Sequence, residues 1–188
     1  MKKLKLAALA ATLLMGVGAH ADQAQPTNWY GEVGYLGLKN SPNSGDSVTP
    51  KLARVTVGKN FDETWAAEAM LGVTASKAKV VASVTPPVTG EISNTFFGVY
   101  AKPKYALTPD ITLFARGGFA HTSLTEGFSD GSASTTLSST KLSYGFGAEM
   151  NINANWYGAL DYMEYGKYSQ DNSNVKYNGL TLSVGYKF

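Results

Sequence analysis

The sequence predicts an all-β protein, an eight-stranded antiparallel up-and-down transmembrane β-barrel, and three observations carry that prediction. Beyond residue 28 the apolar residues recur at every second position, with no sustained i, i+3, i+4 pattern. Eight such stretches follow one another, most of them about the nine to eleven residues that a tilted membrane strand requires. The links between them alternate between short and long, as when tight turns close one end of a barrel and loops extend from the other.

The elements follow in chain order. Met1-Lys2-Lys3-Leu4-Lys5 is cationic, and the apolar run from Leu6 to Val17 is far shorter than the roughly 20 residues of a spanning helix. Ala19 and Ala21 flank His20 in an Ala-x-Ala pattern, so residues 1–21 read as a signal peptide cleaved after Ala21, with the barrel domain at 22–188. An uncleaved anchor helix is the alternative, and the short run and its small-residue flank oppose it. The leader holds three lysines and no acids, so its removal takes the formal net charge from +2 to −1. The basic balance belongs to the leader, and no basic stripe is left to track a nucleic-acid backbone.

There is no cysteine, which excludes thiolate metal sites, disulfides and cysteine nucleophiles. The eight strand candidates are 29–38, 51–59, 65–74, 95–105, 111–121, 142–150, 156–165 and 177–188. Short links at 60–64, 106–110 and 151–155 are rich in Asn, Asp and Pro, the turn formers. Long links at 40–50, 75–94, 122–141 and 166–176 are dominated by Ser, Thr, Gly, Asn and Pro and read as loops. A propeller of similar repeat length is excluded because each repeat holds two strands and no Trp-Asp signature closes it.

A soluble eight-stranded barrel would alternate as well, so the decision turns on which residues share a face. One parity set contains Val55, Val57, Leu71, Val99, Leu113, Phe146, Leu180 and their neighbours and carries no charge in most strands. The opposite set holds Glu32, Arg54, Glu68, Lys102, Arg116, Glu149 and Asp161, with Lys104 and Lys187, interleaved with glycines such as Gly58, Gly72 and Gly185. A solvent face has no need of so much glycine, whereas the lumen of an eight-stranded barrel is just wide enough for side chains to fill. The charged set is therefore assigned to the lumen as a charge network, and the uncharged set to lipid. Leu36 falls on the inner set and Glu164 on the outer one.

With the strands running alternately up and down, the outward aromatics sort into two girdles. Trp29, Trp65, Tyr105, Trp156, Tyr186 and Phe188 fall at the turn end, and Tyr35, Phe97, Phe119, Tyr144 and Tyr162 near the loop end. Two bands of amphipathic rings are expected where a barrel meets both headgroup layers.

The ending Leu180-Thr181-Leu182-Ser183-Val184-Gly185-Tyr186-Lys187-Phe188 resembles the C-terminal signal by which outer-membrane barrels are recognised for insertion, with Leu182, Val184, Tyr186 and Phe188 as its apolar positions. Trp29-Tyr30-Gly31-Glu32-Val33-Gly34-Tyr35 resembles the first strand of the OmpA-like and OmpX-like barrels, and Tyr144-Gly145-Phe146-Gly147-Ala148-Glu149 and Leu160-Asp161-Tyr162 resemble later strands. The resemblance implies a cell outer membrane location, contact with its lipid and lipopolysaccharide, and recognition of the last strand by the barrel-assembly machinery. The chain stops at the eighth strand, so the peptidoglycan-binding domain of full-length OmpA is expected to be absent.

Chemistry-bearing motifs are sparse. Mature His121, followed by Ser123 and Glu126, faintly resembles the site of outer-membrane lipid A deacylases, but Leu124 stands where those enzymes carry Asn, and the pair was expected at the mouth of a loop. Asp46, Glu126, Asp130 and Asp171 lack calcium-loop spacing, and no phosphate loop or dinucleotide fingerprint occurs. Lys77 and Lys79 near Pro86 and Pro87 could touch lipopolysaccharide, though a solvated loop explains them. The expectation is a non-catalytic envelope-structural or surface-interaction barrel without cofactor or metal, its loops open to an extracellular ligand. A narrow pore is the alternative and a lipid A-modifying enzyme the second. Four inward acids against Arg54, Arg116, Lys102 and either Lys104 or Lys187 predict a lumen plugged by its own side chains.

Overall fold

The structure, a computed structural model, describes residues 28–43, 46–84, 87–128, 134–170 and 173–188. The expected signal peptide at 1–21, Asp130 and Asp171 lie outside the described residues. Nine strands follow in order: β1 (Trp29–Pro42), β2 (Lys51–Asn60), β3 (Trp65–Ser76), β4 (Ala78–Val84), β5 (Pro87–Ala106), β6 (Ile111–Phe128), β7 (Thr135–Asn151), β8 (Trp156–Gln170) and β9 (Ser173–Lys187). All pair antiparallel in the order β3-β2-β1-β9-β8-β7-β6-β5-β4, and β3 also pairs with β5, which closes the wall. The barrel is thus eight-stranded, with β4 as an extra strand outside the ring. The β1–β9 ladder runs from Tyr30↔Lys187 to Pro42↔Val175.

Each turn is built the same way. Phe61, Leu107 and Ile152 donate their backbone N–H to the carbonyls of Trp65, Ile111 and Trp156, at 3.0, 2.9 and 2.8 Å. The second turn residue is Asp62, Thr108 or Asn153, whose side-chain oxygen accepts from the backbone N–H at the start of the next strand at 2.8, 3.0 and 2.9 Å. Short side chains that fold back on the main chain are what such turns select. Thr64 adds hydroxyl and backbone donors to Asp62, and these hydrogen bonds hold the Asp62 carboxyl below the usual carboxylate range.

The loop end corrects the reading of the long links. Of the stretch 75–94, read as a loop, residues 78–84 form β4 and residues 87–94 begin β5. Most of 122–141 belongs to β6 and β7, most of 166–176 to β8 and β9, and β1 continues to Pro42 with Asn40 bridging Val48. These stretches lack large apolar residues, which is why their composition reads as loop. Threonine and valine nevertheless favour extended backbone, and hydroxyl pairs across strands stabilise a sheet in water as well as in lipid. The β7–β8 pairing stops at Tyr144↔Glu164, and a bulge between Glu164 and Gly166, with Gly166 at φ 114°, turns β8 away. The wall therefore divides at the loop end into a four-stranded flap, β4-β5-β6-β7, and a three-stranded flap, β8-β9-β1.

Candidate functional site

Strand alternation sends one parity of every wall strand inward, and the charged set goes with it. Glu32, Arg54, Glu68, Lys102, Arg116 and Asp161 are buried, while Glu149 is partly exposed at the turn-end mouth. Arg116 clasps Glu68 through Nε–Oε2 at 2.5 Å and Nη2–Oε1 at 3.1 Å, and its Nη1 lies 3.0 Å from Asp161 Oδ2. Arg54 clasps the same Asp161 at 2.8 and 2.5 Å and donates to Thr181 and Ser183 at 3.0 and 3.2 Å. Lys102 Nζ bridges Glu68 and Glu149, both at 3.1 Å, and sits 3.7 Å from Glu32. Glu32 is 3.4 Å from Arg116 and 3.6 Å from Arg54.

All seven charges therefore form one connected layer across the bore. Its six fully buried members balance in sign, three acids against two arginines and Lys102, the condition under which buried ions are tolerated. Two forked arginine–carboxylate pairs add directional hydrogen bonds to that balance.

Two inward tyrosines, which charge alone did not single out, complete the layer. Tyr30 donates to Glu68 Oε1 at 2.7 Å and Tyr157 to Glu32 Oε1 at 3.0 Å. Their rings lie against the wall where Gly58 and Gly185 face the lumen. A Cβ at either position would run into the tyrosine ring. That close approach accounts for glycine on a face otherwise filled by large side chains.

Towards the loop end the filling changes to hydrocarbon. Leu36, Leu38, Leu52, Met70, Phe96, Met163 and Tyr165 pack as one buried cluster, with the Phe96 and Tyr165 rings 4.4 Å apart. Leu36 falls on the inner set as its parity predicts, and the rest of this plug goes beyond what the sequence expectation contained. The signal was present in large apolar residues that share parity with the charges and gather near the loop end. Towards the turns the lumen opens into a vestibule of about 310 Å³, floored by Lys102, Tyr30 and Tyr157 and rimmed by Glu63, Lys104 and Lys187. Lys104 and Lys187 point there, donating to Asn60 at 2.6 Å and Asn151 at 2.7 Å.

Outside, the uncharged parity set is exposed. Trp29, Trp65, Tyr105 and Trp156 stand at the turn end, and Tyr35, Phe97, Phe119, Tyr144 and Tyr162 near the loop end, all exposed. On the last strand Leu182 and Val184 face outward, Tyr186 stacks edge-on between Trp156 and Phe188, and the Phe188 N–H donates to Trp29 O at 3.0 Å. His121 is not at a loop mouth, because β6 continues to Phe128. Its Nδ1 lies 2.9 Å from Thr140 Oγ1, and it shares the outward face with Ser123, whereas Glu126 has the opposite parity. The geometry does not bring the three together.

No curated protein matches this sequence. Among solved structures, Ail of Yersinia pestis, crystallised with the heparin analogue sucrose octasulfate, superposes with a TM-score of 0.61 at 20% identity, covering 87% of this chain and all of Ail. Neisserial surface protein A gives a TM-score of 0.67 at 14% identity, covering 88% and 100%. The N-terminal β-barrel domain of Pseudomonas aeruginosa OprF gives 0.56 at 16%, covering 87% and 100%. These likenesses show the fold. The family model for the outer membrane protein beta-barrel domain matches residues 7–188. With a closed wall, a paired lumen and an apolar outer face already evident, that match completes the assignment: the chain belongs to the outer membrane protein β-barrel domain family.

Proposed function

We propose that this protein is a non-catalytic outer-membrane barrel that acts through its loop end, as an envelope-structural element that engages ligands at the cell surface. The observation that carries this reading is the filled bore. The ion-paired layer and the apolar plug occupy successive levels of the lumen, whereas the two flaps lengthen the wall well past the membrane. Eight strands leave room for side chains and porins need about 16 to leave an aqueous channel.

Lysines spread over the loop end offer contacts to an acidic surface ligand. In sequence Lys39, Lys51, Lys77, Lys79, Lys141, Lys167 and Lys176 fall there with Asp46, Glu91, Glu126, Asp130, Glu164 and Asp171, and Lys77 and Lys176 are paired with Glu91 and Glu164. Ail, of similar fold, was crystallised with a sulfated sugar, which supports testing that ligand class here. Export by a signal peptide cleaved after Ala21, and insertion through Leu182, Val184, Tyr186 and Phe188, belong to the same proposal.

Two measurements test it together. Planar-bilayer recording of the purified protein is expected to show no large steady conductance. Deletion of 78–91, which removes β4 and its partner segment but leaves the β3–β5 register from Val73↔Thr95 downward, is expected to abolish binding of the protein to sulfated polysaccharide while the barrel still folds. Large, steady currents would promote the pore reading, and ligand binding unchanged by the deletion would remove this flap from the function.

A further inference from the structure

The outward face of the four-stranded flap changes character along a sharp line. Below the line β5, β6 and β7 present Val99 and Phe97, Gly117 and Phe119, Tyr144 and Leu142 to lipid. Immediately above, the same parity presents hydroxyls. The pairing Thr95↔Ser123↔Ser138 forms one row across the three strands and Ser93↔Thr125↔Thr136 the next; Thr95, Thr136 and Ser138 are exposed, and Ser93, Ser123 and Thr125 partly so. Below them His121 pairs with Thr140 at the boundary itself.

Register makes this a grid, with rows about 4.8 Å apart between strands and about 6.8 Å apart along them. Neighbours already point the same way: Thr125 Oγ1 lies 3.1 Å from Thr136 Oγ1 and His121 Nδ1 2.9 Å from Thr140 Oγ1. The two rows hold no charge. The nearest acid on this face, Glu91, is paired with Lys77 at 2.6 Å.

We propose that this grid is a docking face for the sugar headgroups of the glycolipid in the protein's own outer leaflet. Each hydroxyl can both donate and accept, as can the hydroxyls of a sugar, and a regular array of them matches a neutral glycan better than a phosphate, which would select cations. Position identifies the occupant. The grid continues the lipid-facing wall one step past the hydrocarbon boundary set by Phe97, Phe119 and Leu142, so the material against it is the headgroup layer rather than bulk water. Keeping extended strands soluble does not require this pattern, since charged residues would serve and none stands in the two rows. The inference rests on the reading of the chain as an outer-membrane barrel and adds to it a lateral glycan contact, separate from the surface ligand.

The test uses the mature protein in vesicles of phospholipid alone, phospholipid with lipid A, and phospholipid with lipopolysaccharide bearing core sugars. The readout is the midpoint temperature at which the folded band on an unheated gel converts to the unfolded one. The wild type is expected to gain stability with core sugars and little with lipid A alone. The variant Thr95→Val, Ser123→Ala, Thr125→Val, Ser138→Ala is expected to match the wild type in phospholipid and to lose more than half of the gain. If it fails to fold, the single substitutions Thr125→Val and Ser138→Ala are expected to lose smaller fractions.

A gain of equal size in wild type and variants, or one that lipid A alone produces in full, would overturn the proposal. Failure of the wild type to insert into any vesicle would instead overturn the barrel reading beneath it. A gain from added soluble polysaccharide and none from core sugars would move the grid to an extracellular partner and overturn the assignment to membrane glycolipid.

Discussion

Arg116→Ala is the most informative single change, because Arg116 is fully buried and in contact with three carboxylates, Glu68 at 2.5 Å, Asp161 at 3.0 Å and Glu32 at 3.4 Å. Its removal leaves three buried acids facing only Arg54 and Lys102. The plug above and the Tyr30 and Tyr157 rings below limit how far water can enter to compensate. Breaking a buried pair by deleting one partner costs about 3–5 kcal/mol. Three carboxylates lose a partner here and Lys102 still serves two of them, so the middle of that range is expected, about a thousandfold in the folding equilibrium. The assay is equilibrium urea unfolding of the reconstituted barrel by tryptophan emission, with heat-dependent gel mobility as a second probe. Adding Glu68→Gln to Arg116→Ala restores the sign balance, so the double variant is expected to lose less than the sum of the singles. A loss below about 1 kcal/mol, or strict additivity, would mean that water hydrates the layer and that the ion pairs do not act as a unit.

The lipid face gives a second test. Val55→Arg, outward and between the two girdles, should cost about 2–4 kcal/mol, read by the same unfolding assay, and Leu113→Arg, outward but paired with Tyr105 of the turn-end girdle, should cost less; free tolerance of arginine at Val55 would mean the two faces had been exchanged. The first turn gives a third, in its pH dependence. Because the hydrogen bonds from Thr64 lower the Asp62 carboxyl in the folded state, its contribution is present above the unfolded carboxylate range and is lost as pH falls through the depressed folded value. The stability difference between wild type and Asp62→Ala should therefore shrink between neutral pH and pH about 3, and a difference that held constant over that span would remove the carboxylate from the explanation.

The membrane-embedded part of this fold was legible because lipid imposes a strict code. Every second side chain must be apolar there, so Val99, Ala101 and Leu113 on one parity and Glu68, Lys102 and Arg116 on the other identified wall, faces and turns together. Beyond the membrane that code lapses. Thr122, Ser123 and Thr125 continue β6 with no hydrophobic period to announce it, and Ala78–Val84 forms β4 through β-branched residues inside what composition marked as a loop. The plug escaped for a related reason. Leu38, Met70 and Met163 lie inward, and a rule that made the inner face polar had no place for them, although a lumen closed to water accepts either chemistry.

The ladder between β1 and β9 joins the first strand of the wall to the last. Tyr30 pairs with Lys187, and the backbone of Phe188 bonds to that of Trp29. The ring therefore cannot shut until β9 has been synthesised and delivered. Until that moment the growing sheet has two open edges, each a row of unmet backbone donors and acceptors able to recruit any other extended chain. Contacts between strands so far apart in sequence are also the slowest kind to find unaided. An escort that keeps the first strand unpaired during transit, and a surface that releases it only to the last, would serve this protein better than any stronger contact within the finished barrel.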